Sequence, residues 1–203
     1  MSELMRPRPF STMLDRMLTE LEGHESLFGI HRSLFYTPRP EAPYTTELFG
    51  HHLATPIGPG AGPHTQLTQN ILSSWLSGGR FIELKTVQIM DELEIPRPCI
   101  DMADEGYNVE WSQELKLEQS AREYAKAWVL IHVLRRLLGF EEETPFGTIF
   151  NMSVGYDLEG IQSAPMQRFM ASMEDGSEML GELQEVLAAD YPQFADMDIP
   201  TEM

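Results

Sequence analysis

Stretches of this chain that read as strands alternate with stretches that read as helices. "TELFGHHLATPIG" reads as two short strands with a turn near Gly50, and Leu67, Ile71, Leu72, Trp75 and Leu76 then mark a helix that Gly78-Gly79 stops. "RFIELKTVQ" is a strand by its β-branched and aromatic content. A helix follows over roughly Ser120 to Leu138, opened by the capping-box pattern Ser120…Glu123 and ended by Gly139. "GTIFNMSVGY" is a further strand, and a helix covers "PMQRFMASMEDG" and continues to Leu187. Strands separated by helices pair in parallel, because the helix is the crossover that returns the chain to the same end of the sheet. The expected class is therefore α/β, a partial TIM (β/α)8 barrel. A closed barrel takes about 250 residues and about three βα units fit here, so either the sheet is open or the chain is the truncated N-terminal portion of a barrel, and the second is the expectation.

Residues 1–43 read as an N-terminal helical extension and linker, and residues 44–203 as the first βα units of the barrel. In the extension Phe10, Met13, Leu14, Met17, Leu18 and Leu21 recur at helical spacing, with Ser11 or Thr12 as the cap and Gly23 as the stop. A Pro-rich connector, "YTPRPEAPYTT", follows, and "DELEIPRPCIDMADEGYNVEW" reads as a long polar loop.

With 42% hydrophobic and 23% charged residues the composition is that of a folded globule. A net charge of −18 repels phosphate backbones and argues against nucleic acid as a partner. The lone cysteine, Cys99, permits no internal disulfide and fits a reducing compartment. "MSELMRPRPFSTML" has no apolar stretch of secretory length, and "AWVLIHVL" is too short to span a bilayer. These features predict a cytoplasmic protein without a membrane partner.

Ligands in parallel βα folds gather where strands end. Three sets of residues fall there. The first is Gly58-Pro59-Gly60-Ala61-Gly62-Pro63, where missing Cβ atoms would let main chain lie flat against a ligand. An ordinary tight strand-to-helix turn is the alternative. The second is Lys85-Thr86. Strand alternation puts Phe81, Glu83, Lys85 and Val87 on one side, so Lys85 either bridges to Glu83 or meets a ligand as an anion-holding or Schiff-base amine. The third comprises Asn108 and Asn151, amides suited to a planar ligand edge or to loop and strand-end capping. His51 and His52 are adjacent on one strand and point to opposite faces, His64 lies next to the Gly-rich loop where it could contact a ligand, and His24, His31 and His132 show no ligand spacing, so no metal site is expected. Cys99 has no catalytic partner nearby in sequence, and "EEE" at 141–143 reads as a solvated run.

"TPIGPGAGPHT…SGGRFIELKTVQ…PRPCID…YNVEW…FNMSVGY" resembles the start of the dihydroorotate/dihydropyrimidine dehydrogenase flavin barrel. The resemblance is nearest to the N-terminal part of the selenate reductase subunit family of flavin and iron–sulfur proteins, and runs from "MRPRPF" to "IFNMSVGYDLEGI". It implies a barrel of the dihydroorotate dehydrogenase type with FMN as cofactor. It implies that Ala61 and Gly62 lie against the FMN ring, that Lys85 and Thr86 contact the isoalloxazine, and that Asn151 sits near FMN. Asn108 and Glu110 match substrate-contacting positions. The catalytic-loop residue and the phosphate site of such barrels are expected beyond Met203, as are 4Fe-4S clusters and FAD/NAD(P)H regions. No catalytic residue is expected within this chain, and alone it is expected to be inactive.

The function so implied is an FMN-dependent, iron–sulfur-linked oxidoreductase. It would transfer electrons between a small-molecule substrate and NAD(P)H or iron–sulfur carriers on partner domains or subunits. A Schiff-base aldolase using Lys85 and a non-catalytic, flavin-free subunit are the two alternatives.

Overall fold

The computed structural model describes residues 6–39, 43–89, 100–101, 107–108, 113–140, 147–155 and 157–203. Helix α1 (Phe10–His24) buries Phe10, Met13, Leu14 and Met17, the face that the spacing predicts. Its ends differ from expectation. Pro9 occupies the N-cap position with no side-chain cap, and the helix runs through Gly23 to Glu25, whose left-handed φ of 47° turns its N–H onto the carbonyl of Glu20. The Glu20 carboxylate then receives the Phe28 N–H at 2.7 Å, so the following turn supplies the stop that Gly23 does not.

Two tight hairpins follow, β1 (Ser26–Leu27) with β2 (Ile30–His31) and β3 (Thr46–Leu48) with β4 (His51–Leu53). Each turns on a Phe-Gly pair in which both residues have positive φ, 53° and 82° at Phe28-Gly29 and 54° and 81° at Phe49-Gly50. That is the backbone sign a two-residue hairpin turn requires.

The central sheet is parallel. β5 (Phe81–Glu83) pairs with a later strand, β8 (Ile149–Asn151). Along the other edge of β5, the carbonyl of Ile57 accepts from the N–H groups of Arg80 (2.8 Å) and Phe81 (3.2 Å), and that of Pro59 accepts from Glu83 (3.1 Å). The partners ascend together, so residues 57–59 run parallel to β5. Pro59 has no N–H and cannot continue a two-way ladder. The connection from β5 to β8 passes through β6 (Ile100–Asp101) and β7 (Tyr107–Asn108), an antiparallel pair inside the segment that reads as loop, and then α3 (Leu117–Leu138).

α3 starts before the predicted capping box. The Gln119 side chain accepts the Lys116 N–H at 2.9 Å. Glu123 does not cap its own helix. Its Oε2 accepts the N–H (2.9 Å) and hydroxyl (2.8 Å) of Thr68, the first residue of α2 (Thr68–Leu76), and its other oxygen holds the Lys126 ammonium. Lys126 also donates to the carbonyl of Arg8 at 2.5 Å. One buried carboxylate thus joins α2, α3 and the segment before α1. Gly139 ends α3 at φ 74°, as expected.

The predicted last helix, Pro165 to Leu187, is two, α5 (Ala164–Glu174) and α6 (Ser177–Asp190), and a short α4 (Leu158–Gln162) precedes them. Asp157 caps α4 through the Gly160 N–H at 2.7 Å, and the extended Asp175 breaks α5 from α6. Leu14 and Met17 of α1 share one apolar core with Leu72 and Trp75 of α2, Ile82 of β5 and Val129 and Val133 of α3. No helix among the described residues is long and apolar enough to cross a membrane.

Arg80 and His132 are among the basic side chains buried in this layer. The Arg80 guanidinium lies over Trp75 (4.3 Å) and Tyr36 (5.1 Å) and donates to the carbonyls of Trp75 and Gly79; burial lowers it to about 10. His132, on α3 with its ring 5.6 Å from Trp128, is pulled down from 6.5 to about 4, first by burial and then by Arg135. A folded-state value below the unfolded one means that protonation favours unfolding. The penalty is absent above about 6.5 and complete below about 4, and it amounts to about 3 kcal/mol. Urea unfolding at pH 7.5 and at pH 4.5 is expected to show a smaller acid-side loss of stability in His132→Leu than in the wild type. Equal losses would remove His132 from the acid sensitivity.

Candidate functional site

The register of β5 changes just where the chemistry begins. Phe81, Ile82 and Glu83 pair with Ile149, Phe150 and Asn151, but the next parallel bridge joins Val87 to Val154. Four steps on one side face three on the other, so Leu84-Lys85-Thr86 carries one extra residue, a bulge. Simple alternation fails here. Ile82, Leu84 and Val87 all enter the core, although the predicted pattern sets Val87 on the side of Lys85.

The bulged residue is held from two directions. The Lys85 N–H reaches the carbonyl of Thr65 at 3.4 Å, and its carbonyl accepts from the Tyr124 hydroxyl of α3 at 3.0 Å. The Lys85 side chain is 7% exposed, and its Nζ donates to the carbonyl of Thr86 at 3.2 Å. The bridge to Glu83, one of the two alternatives for Lys85, does not form; that carboxylate accepts the Ala61 N–H at 3.1 Å. Burial pulls the Lys85 amine below its usual range, and the nearby Glu114 carboxylate pushes the other way.

The Gly-rich stretch has a structural demand of its own. A Cβ on Gly58 would lie 1.6 Å from the carbonyl oxygen of Phe81, so residue 58 must be glycine for the segment to reach β5 at all. At Gly60 the nearest atom to such a Cβ is Glu83 Oε2, at 3.6 Å, an ordinary contact. The N–H groups of the pair expected against the ring are already engaged, Ala61 with Glu83 and Gly62 with the Thr65 hydroxyl at 3.1 Å. What this stretch can offer a ligand is the flat face of its main chain rather than a row of open donors.

Asn151 ends β8 half-buried, and its carbonyl accepts the Leu84 N–H at 3.0 Å. Thr86 is half-buried and meets Gly155, where a Cβ would lie 3.3 Å from its methyl. Ala61, Gly62, Lys85, Thr86 and Asn151 therefore sit around the same end of the parallel segments, linked through Glu83, Thr65 and Leu84. Asn108 lies on β7 opposite Ile100. Glu110, Cys99 and the run at 141–143 lie outside the described residues. Among the described residues no group of His, Cys, Asp and Glu could hold a metal ion.

The sequence reading missed a pair of glutamines. The Gln66 amide donates to the Glu114 carboxylate and its oxygen accepts the Glu114 N–H at 3.2 Å. The Gln113 amide does the same to the backbone of Gln88, accepting at 2.8 Å and donating at 3.2 Å. Gln113 thereby acts as a one-residue strand against Gln88, and the two pairs pin residues 113–114 to the segments that carry Gln66 and Gln88. The available signal was the polar Gln-Glu pair set between Trp111 and Leu115, too weak to carry a role.

The family described as "Oxidoreductase YgfK, N-terminal TIM-barrel domain" matches residues 28–201. The chain belongs to this family. It is 48% identical over 195 residues to "Putative oxidoreductase YgfK" of Escherichia coli strain K12, and equally to the protein of the same name from Escherichia coli O157:H7. Those alignments cover 96% of this chain but 17% of each relative, so the chain spans about a sixth of the length of the YgfK proteins it matches. The TIM-barrel description agrees with the parallel order of residues 57–59, β5 and β8 and with α3 as the crossover.

Two concavities, of roughly 740 and 420 Å3, lie instead in the helical layer around Arg122, whose guanidinium is taken by Glu118 and Glu182. The glycine requirement of this turn is testable. Gly58→Ala is expected to destabilise the protein by at least about 3 kcal/mol, because backbone must move, whereas Gly60→Ala should change stability by less than about 1 kcal/mol. Chemical denaturation of both variants checks this, and similar losses would contradict the distinction.

Proposed function

We propose that this chain is the N-terminal part of an FMN-dependent, iron–sulfur-linked oxidoreductase, on a barrel of the dihydroorotate dehydrogenase type related to selenate reductase subunits. The complete enzyme would move electrons between a small substrate and NAD(P)H or iron–sulfur carriers. The observation that carries this reading is Lys85, buried on a bulge at the strand ends with a single neutral carbonyl as hydrogen-bond partner among the described residues. An ammonium has three donors, so two are left for an electron-rich acceptor.

The residues fit a flat, negatively polarised ring. Lys85 would stabilise negative charge on it, a favourable interaction in a dry site. Ala61 and Gly62 would lie against its face through main chain. Thr86 and Asn151 would border it, and Asn108 and Glu110 would orient the substrate. Bound FMN supplies reversible electron and hydride transfer. 4Fe-4S clusters and the FAD/NAD(P)H sites belong to the remainder of the longer protein. Membership of an oxidoreductase family supports this reading over its rivals.

The lowered Lys85 amine also suits a Schiff-base nucleophile, the second reading. The complete protein purified with a flavin absorbance spectrum supports the first reading. Borohydride trapping of substrate on Lys85 would support the second, and a colourless, folded, flavin-free product would indicate a non-catalytic subunit. In the complete protein Lys85→Ala is expected to slow flavin reduction by about 100-fold, with a much smaller effect on thermal stability. Equal rates in stopped-flow reduction would remove Lys85 from the mechanism.

A further inference from the structure

We infer that Gln88 is a further ligand-binding residue of the strand-end mouth, its side-chain oxygen accepting the N–H of an imide edge on the ring that Lys85 meets. The identity of that ring rests on the flavin reading above. Gln88 lies three residues after Lys85, in the segment that continues β5 beyond the bulge. Its main chain is engaged on both sides: the Gln113 side chain accepts its N–H at 2.8 Å and donates to its carbonyl at 3.2 Å. Its side chain differs. Gln88 is 2% exposed, and its Oε1 is buried with no hydrogen-bond partner among the described residues. An orphaned amide oxygen in a dry place is unfavourable for folding alone.

The direction of this side chain follows from the pairing around it. Val87 donates its N–H to the Ser153 carbonyl at 3.1 Å and accepts the Gly155 N–H at 3.0 Å, and its side chain joins the core shared with α2 and α3. In an extended chain the next residue turns its main chain to the other edge and its side chain to the other face. The Gln88 main chain does bond on the other edge, to Gln113. Its side chain accordingly leaves on the face turned away from the helical core. Phe81, Glu83, Ile149 and Asn151 share that face, because Ile82 and Phe150 between them enter the core. It is the face around which a barrel closes. Lys85 supplies donors only, and its hydrogen-bond partner among the described residues is the Thr86 carbonyl. A cation with spare donors and a nearby acceptor oxygen suit a ring edge on which a carbonyl stands beside an N–H. The flavin ring has such an imide edge, whereas a bare anion such as phosphate would leave Oε1 without a donor.

The test uses the complete protein, stripped of flavin and titrated with FMN or with 3-methyl-FMN, in which a methyl group replaces the imide hydrogen. Fluorescence quenching gives the two Kd values. The wild type is expected to hold FMN about tenfold more tightly than the methylated ring. In Gln88→Leu the FMN affinity is expected to fall about tenfold and that preference to vanish. Without flavin the variant should melt no lower than the wild type, because an apolar side chain replaces an orphaned amide. A preference that persists in the variant overturns the inference and leaves the flavin reading standing. A lower melting temperature, or failure to fold, in both Gln88→Leu and Gln88→Met overturns it as well, since the amide would then be bonded within the protein. A wild type that binds neither ring overturns the flavin reading and this assignment together.

Discussion

The main chain of β5 is hydrogen-bonded along both edges, to residues 57–59 on one side and to β8 on the other, and the rest of the structure depends on that double engagement. It explains why a glycine stands at 58, where any side chain would collide with the strand. It also explains why one inserted residue has large consequences. With both neighbours fixed in register, the surplus between Glu83 and Val87 cannot be absorbed by sliding, so it is expelled as a bulge. The bulge returns Val87 to the core and leaves Lys85 at the strand ends, anchored through its own backbone to the Gly-rich turn and to α3.

Buried charge is handled in two different ways in this protein. Where the role is architectural, a buried charge meets an opposite one directly. Glu123 is shared between Thr68 and Lys126, and Lys126 also reaches the Arg8 carbonyl, so three elements are locked together with little to offer a ligand. At the strand ends the pattern differs. Among the described residues Lys85 has one neutral acceptor, the carbonyl of Thr86. Incomplete satisfaction of a buried cation is unfavourable for folding alone. It is intelligible as provision for an electron-rich ligand.

The α/β class was legible from spacing, because strand-like and helix-like stretches alternate and each helix has an apolar stripe. Ile71, Leu72 and Trp75 of α2 and the Gly139 stop are where their pattern puts them. The errors have local causes. Ser120…Glu123 has the letters of a capping box, but a carboxylate serves whichever helix start lies nearer, here Thr68. Alternation through "ELKTVQ" assumed an unbroken pleat, and a bulge leaves no mark in residue type. The antiparallel pairing of Ile100–Asp101 with Tyr107–Asn108 was hidden in polar sequence. Gln66 and Glu114 meet across 48 residues, a separation that no local motif reports.

The carboxylates placed at the described mouth bear on how labour would be divided in the proposed enzyme. A general acid or base must present its oxygen to the reacting atoms rather than to a fixed structural donor. Glu83 is held by the Ala61 N–H, and Glu114 by the Gln66 amide. Asn151 and Thr86 carry no proton that titrates in the physiological range. The described mouth therefore offers charge, shape and orientation, and the proposed flavin chemistry would draw its proton donor from residues outside it. On that view Lys85 would not be the group that moves the proton. Its value would be constancy: a positive charge held in one place while electrons arrive and leave.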